Sequence, residues 1–287
     1  MKQITNHICF CADGNYILFV PSVIESILNS NTASFVFHVI SDEKRSQAFD
    51  EQLNLITSKV DVVWHQIDIK DFDGLKEISH FTKAMYYRLL IPELINESTV
   101  LYLDCDILVK GKLDHLFSLD LDDNYIGAVT NPFFNRYESL NLSSDVGYFN
   151  SGVMLINTQQ WLDNDIKNKL IHIIKNEAHV LEMPDQDALN KVFNGKWHKL
   201  SSQFNAQFSM FFNAKKLETD GYYKVGINEP IIVHFSGTNK QWHYSCSLSY
   251  ARDYRKLKSS KMITKRSFVI DNLIGFYSSV KLNYFGS

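Results

Sequence analysis

Apolar and polar positions along the chain follow two alternating rhythms. The apolar run Ile8–Ala12 stops at Asp13-Gly14-Asn15, and apolar residues from Leu18 to Leu28 then recur at helical spacing with Pro21 in the first turn. Strand, turn and helix are predicted in that order. Phe35–Ile40 and Val60–Ile67 repeat the strand signal on either side of an amphipathic stretch at Glu43–Ile56, and Lys83–Leu94 reads as another helix. VLYLDCDILV, Val100–Val109, is the most apolar strand of all, so it is predicted to lie centrally with cover on both faces. Tyr125–Thr130 and Ser151–Ile156 continue as strands. Helices follow from Ile166 to about Val180 and from Asp185 to Phe193, the latter ended by Asn194-Gly195. Strands alternating with helices predict an α/β fold with a mostly parallel central sheet. No repeat, low-complexity stretch or Pro-rich linker divides it, which gives one domain over residues 1–250 and a tail over 251–287.

Composition narrows the class. With 287 residues, 45% hydrophobic and 21% charged, the chain can bury a sizeable core and is neither disordered nor collagen-like. No apolar run approaches the 18 or so residues of a membrane span, and MKQITNHICFCADGNY lacks the long apolar stretch of a secretory signal, so a cytoplasmic protein is expected. Cys9, Cys11, Cys105 and Cys246 form no CxxC spacing and read as reduced structural thiols. Charge is uneven: residues 251–287 carry eight basic residues against two acids, while the whole chain is at −3. An acidic body argues against nucleic acid as a partner, whereas the basic tail suits an anionic membrane surface. Val269, Leu273, Ile274, Tyr277, Val280 and Tyr284 recur near helical spacing behind Arg252–Arg266, which fits a monotopic anchor; a helix packed on the domain is the competing reading.

The glycines exclude two cofactor motifs. No pair stands two residues apart, so a dinucleotide fingerprint is missing, and the pairs Gly147/Gly152 and Gly221/Gly226 precede Val153 and Ile227 where a P-loop needs Lys. The acids are more informative. Twenty-one aspartates would give about 1.5 DxD triplets by chance, and the chain has five, at Asp71, Asp104, Asp120, Asp163 and Asp185. Three of these sit in polar stretches, where loops or caps explain them. Asp104 and Asp106 instead interrupt an apolar strand. Residues i and i+2 of an extended chain project to one side, so both carboxylates can face one hard cation; neutralisation by Arg or Lys is the alternative. Asp185-Gln186-Asp187 opens a helix, where capping is the ordinary explanation. His234 ends the apolar strand Ile231–Val233 and begins HFSGTNKQWH, a plausible loop for metal and phosphate; two carboxylates and one imidazole leave coordination positions open for diphosphate oxygens.

Taken together, FCADGNY (Phe10–Tyr16), KAMYYRL (Lys83–Leu89), VLYLDCDILV, YFNSGVMLIN (Tyr148–Asn157), PDQDALN (Pro184–Asn190) and HFSGTNKQWH resemble glycosyltransferase family 8, which contains glycogenin and bacterial lipopolysaccharide galactosyl- and glucosyltransferases. The similarity covers roughly residues 7 to 245 and is nearest to the lipooligosaccharide α-galactosyltransferase type. It implies a GT-A fold, a Rossmann-like α/β domain that uses a UDP-sugar and Mn2+, or Mg2+, to transfer galactose or glucose with retention to a saccharide acceptor such as lipid-linked lipopolysaccharide core. On this resemblance Asp104, Asp106 and His234 hold the metal. Cys11, Ala12, Asp13, Asn15 and Tyr16 match the uridine segment, and Arg88, Cys105, Asn150, Gly237 and Lys240 match donor-contacting positions. Asp185 contacts sugar hydroxyls and Gln186 lies beside the anomeric carbon, the two taken as catalytic. The location implied is the cytoplasmic face of the plasma membrane. Cys11 and Cys105 replace residues that are usually small or apolar, and Thr130-Asn131 stands near where the galactosyltransferases carry an acid. A protein or wall-polymer acceptor, and a UDP-sugar-binding protein without turnover, are the alternatives. A two-metal phosphodiesterase would need more ligands than the sequence offers.

Overall fold

A computed structural model describes residues 5–56, 59–75 and 82–261. In chain order its strands are β1 (Thr5–Cys11), β2 (Ser34–Ser41), β3 (Asp61–Gln66), β4 (Thr99–Leu103), β5 (Ile107–Val109), β6 (Ile126–Thr130), β7 (Phe149–Asn157), β8 (Trp197–Lys199), β9 (Ala206–Gln207) and β10 (Ile232–His234). The larger sheet has the order β3-β2-β1-β4-β7-β6-β8 and the smaller one β5-β10-β9. Every pairing in the larger sheet is parallel except the two made by β7, so the sheet is mostly parallel, as the alternation of elements requires. β4 is central, and its residues Val100, Leu101, Tyr102 and Leu103 are all buried. One face is covered by the helix Val20–Ser30, which carries Pro21 in its first turn, and the other by the helices Ile166–Asn176 and Pro184–Val192.

Two sequence expectations change. Val100–Val109 is not one strand: the chain leaves the larger sheet at Leu103, turns, and enters the smaller one at Ile107, antiparallel to β10. Apolar composition signalled burial on both sides of the Asp pair but could not distinguish one strand from two. Lys83–Leu94 is likewise broken into a helical turn Ala84–Tyr87, a 3-10 turn Arg88–Leu90 and a turn Ile91–Leu94 with Pro92 at its second position. Pro92 has no N–H for a continuous helix, and the tighter middle turn directs Arg88 into the interior, where it is buried.

The line drawn at residue 250 falls at the start of the helix Tyr250–Tyr254, whose Ala251 and Tyr254 are buried in the main core. Beyond it Glu25 accepts hydrogen bonds from Lys258 N at 3.0 Å, Ser259 N at 2.9 Å and Ser259 Oγ at 2.6 Å, which clasps the chain to the helix Val20–Ser30. Val269, Leu273, Ile274, Tyr277, Val280, Tyr284 and the cations Lys265, Arg266 and Lys281 lie outside the described residues. No helix among the described residues is long and apolar enough to cross a membrane.

Parallel pairing also aligns three histidines across β1, β2 and β3. His7 Nδ1 lies 3.0 Å from His38 Nε2, His38 Nδ1 lies 2.9 Å from His65 Nε2, and Glu97 Oε1 flanks His7 Nε2 at 3.4 Å. Burial first, then repulsion from its two neighbours, lowers the His38 pKa from 6.5 to about 4. An unfolded chain therefore takes up this proton below pH 6.5 while the folded chain resists it until about pH 4. Stability present above pH 6.5 is lost as pH falls through that window, by ~2 kcal/mol at pH 4.5. His38→Gln, which cannot titrate, should narrow the stability difference between pH 7 and 4.5 by that amount in urea unfolding.

Candidate active site at the carboxyl edge of the sheet

The turn that carries the chain from one sheet to the other is Asp104-Cys105-Asp106. It sits beyond the carboxyl end of β4, the edge where open α/β sheets take their ligands. Asp104 N donates to Gly152 O at 2.9 Å, and Phe235 N donates to Asp106 O at 3.0 Å, so β7 and the end of β10 fix the turn from both sides. His234, last residue of β10, thereby meets the acids: its Nε2 lies 3.2 Å from Asp106 Oδ1 and 3.7 Å from Asp104 Oδ2. These three form the one group of three or more acid, imidazole or thiol ligands close enough to share an ion among the described residues.

The residues fit a hard divalent cation. Asp106 is buried, yet its Oδ1 has no hydrogen-bond donor, an expensive condition unless a cation is its partner. A methyl group at Gly152 would stand under 3.0 Å from His234 Cε1 and 2.6 Å from Asp104 Oδ2, so the space between these ligands exists because position 152 has no side chain. Lys240 Nζ rests on Asp106 Oδ2 and donates to Phe235 O at 3.0 Å. Burial alone would raise the Asp106 carboxyl pKa, but the Lys240 ammonium, with the adjacent His234 adding to it, holds it well below the usual range. Burial similarly opposes charge on Lys240, and Asp106 outweighs it to raise the ammonium pKa.

Arg88 closes the other side. Its guanidinium is anchored on Met85 O at 3.0 Å and Ser151 O at 2.9 Å, reaches Asp104 Oδ1 at 3.2 Å and lies 3.5 Å from Asp185 Oδ2, stacked 4.4 Å above the Tyr102 ring. Tyr102 OH donates to the same Asp104 oxygen. Burial raises the Asp185 carboxyl pKa despite Arg88. Gln186 is heavily engaged: Oε1 accepts from Asn150 Nδ2 at 3.1 Å, Ser151 N at 2.9 Å and Ser151 Oγ at 3.3 Å, while Nε2 donates to Tyr148 OH at 3.1 Å.

The segment from Cys11 to Tyr16 leaves β1 on the same edge. Cys105 Sγ packs against Cys11 O at 3.8 Å, and both thiols are buried and unpaired. Asp13 is half-buried, and that burial leads the upward shift of its pKa, with Asp42 and Glu43 adding to it. The Tyr16 ring, 43% exposed, contacts Phe19 and Trp242, which stack at 3.6 Å, and so joins the Cys11–Tyr16 segment to the loop bearing Lys240. Gly237 in that loop lies against Phe208, and Ala12 is buried in the core. The side chain of Asn15 is outside the description.

Sequence reasoning passed over Gly152, Ser151 and Asn205. Asp187, for which the sequence offered a helix cap, is fully buried and does more than cap: it accepts from Tyr148 OH and Arg136 Nη2 as well as from Glu182 N and Met183 N, and so holds the start of the helix that bears Asp185 and Gln186. Nothing in a DxD triplet separates such a carboxylate from a solvated one. A cleft of about 400 Å³ is walled by Thr130 on β6, two strands from β4, by Trp197 and Lys199 on β8, three strands from it, and by Tyr137 and Asp145.

Comparison with known proteins gives a consistent result. The model of the family Glycosyl transferase family 8 matches residues 7–246. General stress protein A of Bacillus subtilis is 31% identical over 86% of this chain and 91% of its own length. The lipopolysaccharide 1,3-galactosyltransferase of Salmonella typhimurium is 30% identical over 83% and 73%. The chain spans 58% of the length of the glycosyltransferases GlyE and GlyB of Streptococcus pneumoniae. A crystal structure of the galactosyltransferase LgtC in complex with donor and acceptor sugar analogues superposes with a TM-score of 0.78 at 27% identity, covering 88% of this chain and 95% of that one, and the fold is accordingly GT-A.

Proposed function

The chain belongs to glycosyltransferase family 8, and on that premise we propose that it transfers galactose or glucose from a UDP-sugar to a saccharide acceptor with retention of configuration, assisted by Mn2+. The observation that carries the metal and diphosphate part is the buried, donor-free Asp106 Oδ1 within reach of Asp104 and His234. A divalent cation held by those three residues would supply charge to neutralise the departing diphosphate. Lys240 occupies the second Asp106 oxygen; once that carboxylate has another partner, its ammonium is free to bind the leaving phosphate as the sugar becomes oxocarbenium-like. Arg88 holds Asp104 and Asp185 in place, with Asp185 presented to sugar hydroxyls. Asp13 and Tyr16 serve the uracil and ribose end.

Retention through a covalent intermediate needs a free nucleophilic oxygen about where a carboxylate stands in retaining glycosidases. Gln186 Oε1 already accepts three hydrogen bonds, which leaves it a positioning group beside the sugar. The reading is therefore front-face substitution: the bond from the anomeric carbon to UDP breaks as the acceptor oxygen bonds on the same face, and the acceptor proton passes to the departing phosphate. A sugar adduct trapped on Asp185 or Gln186 would overturn it.

The cleft at Trp197 supports an acceptor site, since it offers ring faces and the polar ends of Asp145 and Lys199 beside strands of the same sheet that carries the chain to Asp104. Trp197→Ala should raise the acceptor KM about tenfold with kcat and UDP affinity little changed. A lipid-linked acceptor at the inner membrane face extends the reading, supported by the exposed Arg252, Lys256 and Lys258; salt-sensitive co-sedimentation with anionic vesicles tests it.

The central experiment is calorimetric titration of UDP with Mn2+ and with EDTA, followed by an assay for UDP release from UDP-galactose and UDP-glucose. Metal-dependent binding with turnover supports the transferase reading, binding without turnover on any acceptor favours a UDP-sugar-binding protein, and no binding in either condition rejects both.

A further inference from the structure

Behind the acid and imidazole cluster three amides, Gln186 and Asn205 buried and Asn150 partly so, form a directional chain. It begins at backbone groups that cannot reverse their polarity. Ser151 N donates to Gln186 Oε1 at 2.9 Å, and Gly152 N donates to Asn150 Oδ1 at 3.1 Å. Those two N–H groups fix which end of each side-chain amide is oxygen, the assignment that is otherwise ambiguous. Asn150, oriented in this way, points its Nδ2 at Gln186 Oε1 at 3.1 Å and leaves its Oδ1 to accept from Asn205 Nδ2 at 2.9 Å. Asn205 must then present its Oδ1 to the other side, where His234 Nδ1 stands 3.0 Å away. A carbonyl oxygen only accepts, so the proton belongs on Nδ1. Turning Asn205 over would set two oxygens against each other at Asn150, and turning Asn150 over would set its NH2 against Gly152 N–H. Asn205 is completely buried and His234 nearly so, which gives neither group water as a substitute partner.

We propose that Asn205 is a positioning residue which, through Asn150, transmits the polarity of the Ser151 and Gly152 backbone to His234, holding the ring proton on Nδ1 and presenting the Nε2 lone pair to the space shared with Asp104 and Asp106. This rests on the reading of those three residues as a cation site. It adds a cause for the histidine's readiness: a ligating imidazole must be bare at the ligating nitrogen, and an acceptor on the opposite nitrogen sets that tautomer. It also couples the helix bearing Gln186 to the cation site through Asn150, so that the group beside the sugar and the ligand beside the diphosphate are oriented by one pair of peptide N–H groups.

Two measurements on the full chain test it. In the first, Mn2+ alone is titrated and followed by the loss of its free EPR signal, for the unaltered chain, Asn205→Asp and Asn205→Leu. Asn205→Asp keeps an acceptor on Nδ1–H, although it loses the donor to Asn150 Oδ1, and should bind Mn2+ more tightly than Asn205→Leu, which should bind ten- to a hundredfold more weakly than the unaltered chain. Equal affinity of the leucine and aspartate variants would overturn the proposal. In the second, long-range 1H–15N spectra of neutral imidazoles, with His234 assigned by its loss in His234→Asn, read the tautomer without metal and without any variant at position 205. A proton on Nδ1 supports the proposal, and one on Nε2 overturns it even if Asn205→Leu fails to fold. Failure of the unaltered chain to bind Mn2+ would instead remove the cation-site reading, a result that the tautomer spectrum does not depend on.

Discussion

Asp106→Asn should lower sugar transfer by about a thousandfold, about 4 kcal/mol of transition-state stabilisation, and abolish the Mn2+ dependence of UDP binding. The substitution preserves shape and removes one charge. In the folded chain that charge is balanced by Lys240 on Oδ2, and His234 Nε2 lies 3.2 Å from Oδ1. An amide cannot replace the carboxylate as a ligand to a hard cation, and it deprives Lys240 of a counter-charge where the ammonium is largely enclosed. Stability should therefore fall as well, so metal binding is measured directly by EPR and folding by circular dichroism. Asp120→Asn provides the contrast. Asp120 is a member of another DxD triplet, but its carboxylate caps the N–H of Asp122 at 2.9 Å on an exposed turn, and its loss should leave transfer unchanged. Equal activity of Asp106→Asn and the unaltered chain would remove the site from the reaction.

These two aspartates show what was legible in the sequence. Spacing alone could not separate them; the apolar residues flanking Asp104 and Asp106 did, because only a buried pair must be balanced by a partner. The strand and helix rhythm likewise gave the parallel α/β arrangement, since burial on one or both faces leaves a period in the chain. What stayed hidden depends on residues far apart in sequence. The break at Asp104–Asp106 follows from β5 pairing with β10, more than 120 residues later, and no local pattern announces it. Asn205 lies in a short 3-10 turn between unremarkable serines and glutamines, and its significance comes from meeting Asn150 and His234. The Glu25 clasp on Ser259 is of the same kind, and it is why a boundary drawn from charge at residue 250 falls at the start of a helix of the packed body.

Gly152→Ala should be as damaging to function as removal of a ligand, although it deletes no polar atom. The glycine lies in β7, with no positive φ, so conformational freedom is not what the position requires. Space is. A Cβ there would come 2.6 Å from Asp104 Oδ2, 2.9 Å from His234 Nε2 and under 3.0 Å from His234 Cε1, separations that real atoms do not adopt. Neither neighbour can yield freely: Asp104 is tied to Arg88 and Tyr102, and His234 is tied to Asn205. The strand cannot retreat either, because Gly152 O and N are committed to Asp104 N and Asn150 Oδ1. Overpacking at such a point costs about 1–3 kcal/mol of stability. The forced displacement of two ligands should weaken Mn2+ binding beyond a hundredfold and transfer by a similar factor. Gly221→Ala is the control, since a Cβ there meets nothing within 4 Å and the residue opens an exposed helix. If Gly152→Ala folded and bound Mn2+ as tightly as Gly221→Ala, the ligands would not be held in the arrangement described, and the amide chain that orients His234 would lose its purpose.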